Sequence, residues 1–164
     1  MKNKTIFVAC DTSNIKKIKT IVTHIKTSKL KILPKFGLQF FYSKNGRKFL
    51  ENFKKDFWLD LKINDIPKTA TSAINSLKDL KKCKYITVHV NGGLEMLRAV
   101  KKETRKINKN LKILGVTVLT SLNNESLKKI GYTKKVNQLV LKQAGLIKKS
   151  GCDGIVCSAH EAKM

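Results

Sequence analysis

The chain of 164 residues is 41% hydrophobic, which is enough for one domain with a substantial core and excludes a disordered protein. It contains no apolar run near the roughly 20 residues that a membrane span requires, so we expect no membrane insertion. The formal net charge is +24, but the lysines are dispersed and no nucleic-acid-binding motif accompanies them, so a nucleic-acid partner is not expected.

Strand-like and helix-like patterns alternate along the chain. Short apolar, β-branched runs predict strands, and apolar residues three or four apart among lysines predict helices. In chain order we predict strands at residues 5–10, 30–35, 57–61, 85–90, 111–119 and 154–157, with helices at 15–25, 42–53, 67–80, 94–107, 123–130 and 134–149 between them.

Six strand–helix repeats joined by short loops predict parallel strands, and strands that are apolar throughout predict helices on the sheet. A doubly wound sheet and a barrel both fit, but no G-x-G-x-x-G follows the first strand. Charged residues at the ends of several strands favour the barrel. We therefore predict an α/β fold, one domain over residues 1–164, comprising the first six units of a (β/α)₈ TIM barrel. The strand-end residues are Asp11, Lys35, Asp60, Lys62 and His89.

The four cysteines lie in or beside apolar runs and lack the paired spacing of metal ligands. We expect reduced thiols, no metal site and a cytoplasmic location, because disulfides persist mainly in oxidising compartments. These residues are Cys10, Cys83, Cys152 and Cys157.

The stretch from residue 57 to residue 69 predicts the functional site. Asp60 and Lys62 are two residues apart, so on an extended strand their side chains point to the same face. Asp65 follows the strand, and Pro67 suits the first position of a helix. A carboxylate and an ammonium on one buried face are expected to pair with each other.

Residues 60–69 (DLKINDIPKT) resemble the signature of the orotidine 5′-phosphate decarboxylase family. Similar segments follow in the family's order over nearly the whole chain, which makes the resemblance specific. They are residues 8–11 (VACD), 33–37 (LPKFG), 88–93 (VHVNGG), 116–121 (VTVLTS) and 153–158 (DGIVCS).

The resemblance implies decarboxylation of orotidine 5′-phosphate to uridine 5′-phosphate in pyrimidine nucleotide synthesis, without a cofactor. It implies that Lys62 delivers a proton to the carbon that loses carbon dioxide, within a charged network that also contains Lys35, Asp60 and Asp65. It further implies a homodimer in which Asp65 enters the partner's site. Implied substrate-binding residues are Asp11, Lys35, Asp60, Thr69 and Thr120.

Simpler roles remain open for several of these residues. Asp60 and Lys62 could form a structural ion pair. Asp11, Asp65, and Thr120 with Ser121 could each cap the helix that follows them. His89 is expected to be a satisfied strand-end histidine rather than a catalyst.

The length departs from the family pattern, because barrels of this type run to about 250 residues. Strands seven and eight, where the family grips the substrate phosphate, have no counterpart here, so we expect a fragment of a longer protein. One alternative function is a magnesium-dependent sugar-phosphate decarboxylase or aldolase of the same superfamily. That group has a metal-binding glutamate where this chain has Lys35. Another is a non-catalytic, basic, nucleic-acid-binding barrel fragment.

Overall fold

The computed structural model describes residues 4–25 and 30–164. Across these residues the chain forms one six-stranded parallel sheet in the order β1-β2-β3-β4-β5-β6. The order of the strands in the sheet is their order along the chain, and helices connect them. This is the arrangement of an incomplete (β/α)₈ barrel, so the predicted fold class is confirmed. The strands are β1 (Thr5–Ala9), β2 (Lys31–Gly37), β3 (Phe57–Ile63), β4 (Cys83–His89), β5 (Lys112–Val116) and β6 (Gly154–Val156).

The helices fall at most of the predicted positions. In the described ranges none is both long and apolar enough to serve as a transmembrane span. Two 3₁₀ turns, Val90–Gly92 and Glu161–Lys163, were not predicted. The helices are α1 (Ile15–His24), α2 (Leu38–Phe41), α3 (Gly46–Glu51), α4 (Pro67–Asn75), α5 (Gly93–Ile107), α6 (Asn124–Lys129) and α7 (Val136–Ser150).

The prediction of one helix over residues 42–53 is wrong. Two short helices form instead: α2, which ends before residue 42, and α3, which lies within the predicted range. At Gly46 the chain folds back so closely that a β-carbon would stand 1.7 Å from the carbonyl oxygen of Phe40. Only glycine tolerates that approach, so a continuous helix through this position is excluded.

Helix α4 ends at Asn75, five residues before the predicted end. Leu77 and Leu80 are buried and continue the helical spacing of apolar residues, but they belong to a turn in which the Leu80 N–H donates to the Leu77 carbonyl. The apolar spacing of these two residues reflects their burial and not a continuation of α4, so the predicted end of the helix is wrong.

The chain forms two compact units: Met1–Leu61 with Leu77–Ile86, and Lys62–Ser76 with Thr87–Met164. In the first unit Phe36 is fully buried and its ring centroid lies 5.1 Å from that of Phe40 and 5.6 Å from that of Phe57. In the second unit α5 packs against α4 and α7. Each unit thus has buried apolar residues of its own, such as Phe36 in the first and Met96 in the second.

Candidate active site

The ammonium of Lys35, on β2, lies between two carboxylates of the first unit. Its Nζ is 3.2 Å from Oδ2 of Asp60 and 3.8 Å from Oδ1 of Asp11. The side chains of Lys35 and Asp60 are only 19% and 10% exposed, whereas that of Asp11 is 59% exposed. Because a shielded carboxylate requires a partner of opposite charge, the short distance from Lys35 to Asp60 indicates an ion pair, and the contact with the exposed Asp11 is weaker.

Strand register places these groups at one end of the first three strands. Lys35 is in register with Ala9 of β1, and Gly37 is in register with Asp60 of β3. A β-carbon on Gly37 would stand 3.1 Å from Oδ1 of Asp11, so the glycine leaves room for that carboxylate. This close approach gives a physical reason for a glycine two residues after Lys35.

Trp58 belongs to the same group, and the sequence analysis did not single it out. The Lys35 Nζ lies 5.8 Å from the centroid of the Trp58 ring, within the range of a cation–π contact. The signal that could have found it is its position two residues before Asp60, which on an extended strand places both side chains on one face.

Lys62, in the second unit, has an unusual backbone conformation. It is the one non-glycine residue of the described chain with a positive φ, at 49°. Its N–H donates to Oγ1 of Thr87 at 2.9 Å. Asp60 and Lys62 are predicted to share a face of an extended strand, but the backbone at Lys62 is not extended.

His89, at the end of β4, is buried. Burial, and secondarily the positive charge of Lys62, lowers the pKa of His89 below its usual 6.5. The Asn91 N–H donates to Nδ1 of His89 at 3.2 Å, so in the neutral ring the proton is on Nε2. His89 is thus a buried, hydrogen-bonded histidine at a strand end, and the expectation that it is not a catalyst stays a prediction.

The capping roles left open for the charged and hydroxyl residues are not realised. Helix α1 is capped by Asn14 rather than Asp11, and α6 by Asn123 rather than Thr120 or Ser121. Helix α4 has Ile66 at its N-cap and no side-chain cap. The Asp65 Oδ1 instead accepts from the Ile66 N–H at 2.7 Å.

The remaining predicted site residues are accessible. Asp65 is exposed, as are Thr69 in the first turn of α4 and Thr120 after β5. The structure thus joins Asp11, Lys35 and Asp60 in the first unit, and places Lys62 and His89 in the second, where the charge of Lys62 acts on His89. The substrate roles of Asp11, Thr69 and Thr120 stay predictions.

Comparison with known proteins gives a consistent result. The family model described as "Orotidine 5′-phosphate decarboxylase / HUMPS family" matches residues 4–164. Orotidine 5′-phosphate decarboxylase of Carboxydothermus hydrogenoformans is 40% identical over 97% of this chain and 68% of its own length. The Staphylococcus epidermidis protein of the same name is 40% identical over 79% of this chain and 57% of its own length.

A solved structure agrees with these sequence matches. The orotidine 5′-phosphate decarboxylase of Lactobacillus acidophilus superposes with a TM-score of 0.85 at 28% identity, covering 98% of this chain and 74% of that chain. The matched part of this chain thus spans between about half and three quarters of the length of these relatives.

Proposed function

Because the chain belongs to the orotidine 5′-phosphate decarboxylase / HUMPS family, we propose that it converts orotidine 5′-phosphate to uridine 5′-phosphate in pyrimidine nucleotide synthesis. The observation that carries the proposal is the shielded pair formed by Lys35 of β2 and Asp60 of β3, together with Lys62, which follows Asp60 by two residues on β3. Asp60 and Lys62 lie in the segment that resembles the family signature, and Lys35 lies in another of the similar segments.

In the proposed reaction the bond between the pyrimidine ring and the carboxylate carbon breaks, and carbon dioxide leaves. The electron pair stays on the ring carbon, where the Lys62 ammonium stabilises the developing negative charge. Lys62 then transfers a proton from Nζ to that carbon. The chain's own residues supply both charge and proton, so the step needs no cofactor.

Asp60 and Lys35 have supporting roles in this proposal. The Asp60 carboxylate would repel the substrate carboxylate and favour its departure, an effect that we rank below stabilisation by Lys62. Lys35, 3.2 Å from Asp60, holds that carboxylate in place and balances its charge. We assign Asp11 to the ribose, Thr69 to the substrate-contacting segment and Thr120 to the neighbourhood of the pyrimidine.

The magnesium-dependent sugar-phosphate reaction fits these residues less well. The Lys35 ammonium lies within 4 Å of both Asp11 and Asp60, the carboxylates that would otherwise suit a hard cation. A fixed positive charge at that point repels a divalent metal ion.

The absorbance of orotidine 5′-phosphate reports its turnover, with and without a chelator. We expect chelator-resistant turnover that Lys62→Ala abolishes and that Lys102→Ala, at an exposed position on α5, leaves unchanged. Chelator-sensitive activity on sugar phosphates would support the alternative enzyme. Absence of turnover together with salt-sensitive binding of nucleic acid would support the non-catalytic alternative.

We also assign Asp65 to the site of a second subunit in a homodimer. Asp65 is exposed and does not cap α4, which leaves its carboxylate accessible to a partner. Mixing the Lys62→Ala and Asp65→Asn proteins tests this assignment, because a mixed dimer would contain one intact site. Recovery of turnover on mixing is expected, and two variants that stay inactive together would refute the shared site.

We place the protein in the cytoplasm. All four cysteines are free thiols, and Cys10 and Cys83 are buried, which suits a reducing compartment. Fractionation of cells that express the chain tests this location, and recovery outside the cytoplasmic fraction would contradict it.

A further inference from the structure

Lys62 has a backbone conformation that residues with a β-carbon rarely adopt. Its φ of 49° lies in the left-handed region, where the β-carbon of an L-residue crowds the following carbonyl. Non-glycine residues remain in this region only when neighbouring groups hold them there, and such residues cluster at functional sites. A contact that holds this backbone therefore bears on how the Lys62 ammonium is aimed.

Thr87, on β4, supplies such a contact. Its hydroxyl accepts the Lys62 N–H at 2.9 Å, and the residue is completely buried. A left-handed φ at Lys62 changes the direction of its β-carbon relative to the strand, and the hydrogen bond from its N–H to Thr87 fixes the peptide unit that precedes this β-carbon. Because Thr87 is completely buried, its hydroxyl is a fixed acceptor for which water does not compete.

We propose that Thr87 is a positioning residue for the Lys62 ammonium, through the hydrogen bond from the Lys62 N–H to the Thr87 hydroxyl. The inference rests on the proposed function, in which Lys62 delivers the proton. Thr87 acts through the Lys62 backbone and touches neither the substrate nor the reacting carbon. Its effect is expected in the chemical step rather than in substrate binding.

Threonine suits this position better than its close analogues. Valine has nearly the same shape but no acceptor, so Thr87→Val removes the hydrogen bond while keeping the packing. Serine keeps the hydroxyl but loses the methyl group that restricts χ1. The two variants therefore separate the hydrogen bond from the volume of the side chain.

The chain also offers a matched control. Thr117 is completely buried in the second unit, and its hydroxyl donates to the Val156 carbonyl at 3.2 Å. Thr117→Val makes the same chemical change at the same degree of burial, without removing the hydrogen bond at Lys62. An effect shared by Thr87→Val and Thr117→Val would come from general loss of core polarity.

Kinetics on orotidine 5′-phosphate provide the first test. We expect Thr87→Val to lower kcat about tenfold or more while KM changes less than about threefold, since a group acting only in the chemical step alters kcat. Thr87→Ser should recover most of kcat, and Thr117→Val should keep it. Equal losses of kcat in Thr87→Val and Thr117→Val, or no loss in Thr87→Val, would overturn the proposal.

Amide hydrogen exchange at Lys62, measured by NMR on the 164-residue chain, gives a second readout that needs no turnover. Thr87→Val should accelerate this exchange about tenfold or more, whereas Thr87→Ser and Thr117→Val should not. If the unmodified chain does not turn over substrate, the proposed function fails, and exchange still decides whether Thr87 holds Lys62. Unchanged exchange in Thr87→Val would overturn the inference.

Discussion

The pair of Lys35 and Asp60 shows how a largely buried charge constrains its neighbours. Water reaches little of either side chain, so the desolvation of both ions must be offset by their attraction across 3.2 Å. Removing one partner takes this attraction from the other charge, which stays shielded from solvent. This removal should therefore lower the stability of the protein by more than the intact pair raises it.

Lys35→Met is expected to lower the free energy of unfolding by about 1–3 kcal/mol, since the shielded Asp60 carboxylate loses the attraction of the Lys35 ammonium. The additional change Asp60→Leu should restore part of that loss. Urea denaturation of the single and double variants measures both effects. Lys106→Met, which breaks an exposed pair with Glu103, serves as the control and should change stability by less than about 0.5 kcal/mol. A double variant less stable than Lys35→Met would contradict the argument.

The lowered pKa of His89 leads us to expect that the stability of the protein depends on pH. Its pKa in the folded protein is lowered from 6.5, so below that pH the unfolded chain binds the proton more readily. The neutral ring thus contributes stability that is present above pH 6.5 and lost as the pH falls through the lower, folded-state value. Stability should fall more between pH 7 and pH 5 in the unmodified chain than in His89→Gln.

Denaturation midpoints across this pH range measure the difference in slope. His160→Gln, at an exposed histidine, is the matched control and should keep the slope of the unmodified chain. Identical slopes in the unmodified and His89→Gln proteins would show that His89 does not carry the effect.

At the scale of elements, the contact between β5 and α7 depends on one missing side chain. A β-carbon on Gly115 would stand 2.5–2.8 Å from three side-chain carbons of Ile147, which is itself buried. Two of these carbons are attached directly to the Ile147 β-carbon, where the branched side chain has little rotational freedom. The helix can therefore approach the strand only where the strand has no side chain.

Gly115→Ala is expected to lower the free energy of unfolding by about 1–3 kcal/mol through overpacking. In an Ile147→Ala background, which opens room at the same point, the substitution should cost much less. A double-mutant cycle in urea measures this coupling. Gly145→Ala, in α7 where a β-carbon would meet nothing within 4 Å, is the control and should stabilise slightly. Additive effects at 115 and 147 would exclude the steric explanation.

At the scale of the whole molecule, the net charge of +24 gives the protein a positive electrostatic field. The proposed substrate is a phosphate ester and therefore an anion, which this field attracts. Such a field raises the encounter rate of an anion, and added salt screens it beyond a Debye length of about 10 Å at 0.1 M. The dispersed lysines thus have a physical effect even though they form no single binding motif.

We expect kcat/KM for orotidine 5′-phosphate to fall severalfold as the salt concentration rises from about 0.02 to 0.3 M, with most of the change in the association step. Initial rates at low substrate concentration measure it. Sucrose at matched osmolarity is the uncharged control and should not reproduce the fall. A kcat/KM independent of salt would show that the field does not steer the substrate.

The sequence alone determined the family and the fold class, because short apolar runs mark the strands, apolar residues at a period of 3.6 mark the helices, and the family motifs are contiguous. It also identified Lys35 and Asp60 through the spacing of charged residues at strand ends. The position of Trp58 beside Lys35 came from the tertiary structure, since it depends on register between strands far apart in sequence.

Only the tertiary structure decided how individual residues are held. The end of α4 at Asn75, the break between α2 and α3 and the left-handed backbone of Lys62 all differ from the predicted structure. Each is accompanied by a contact that the spacing of apolar residues does not show: the buried turn of Leu77 and Leu80, the Phe40 carbonyl beside Gly46, and the Thr87 hydroxyl that accepts the Lys62 N–H. The spacing of apolar residues in the sequence does not predict such contacts, because they form only when the chain folds.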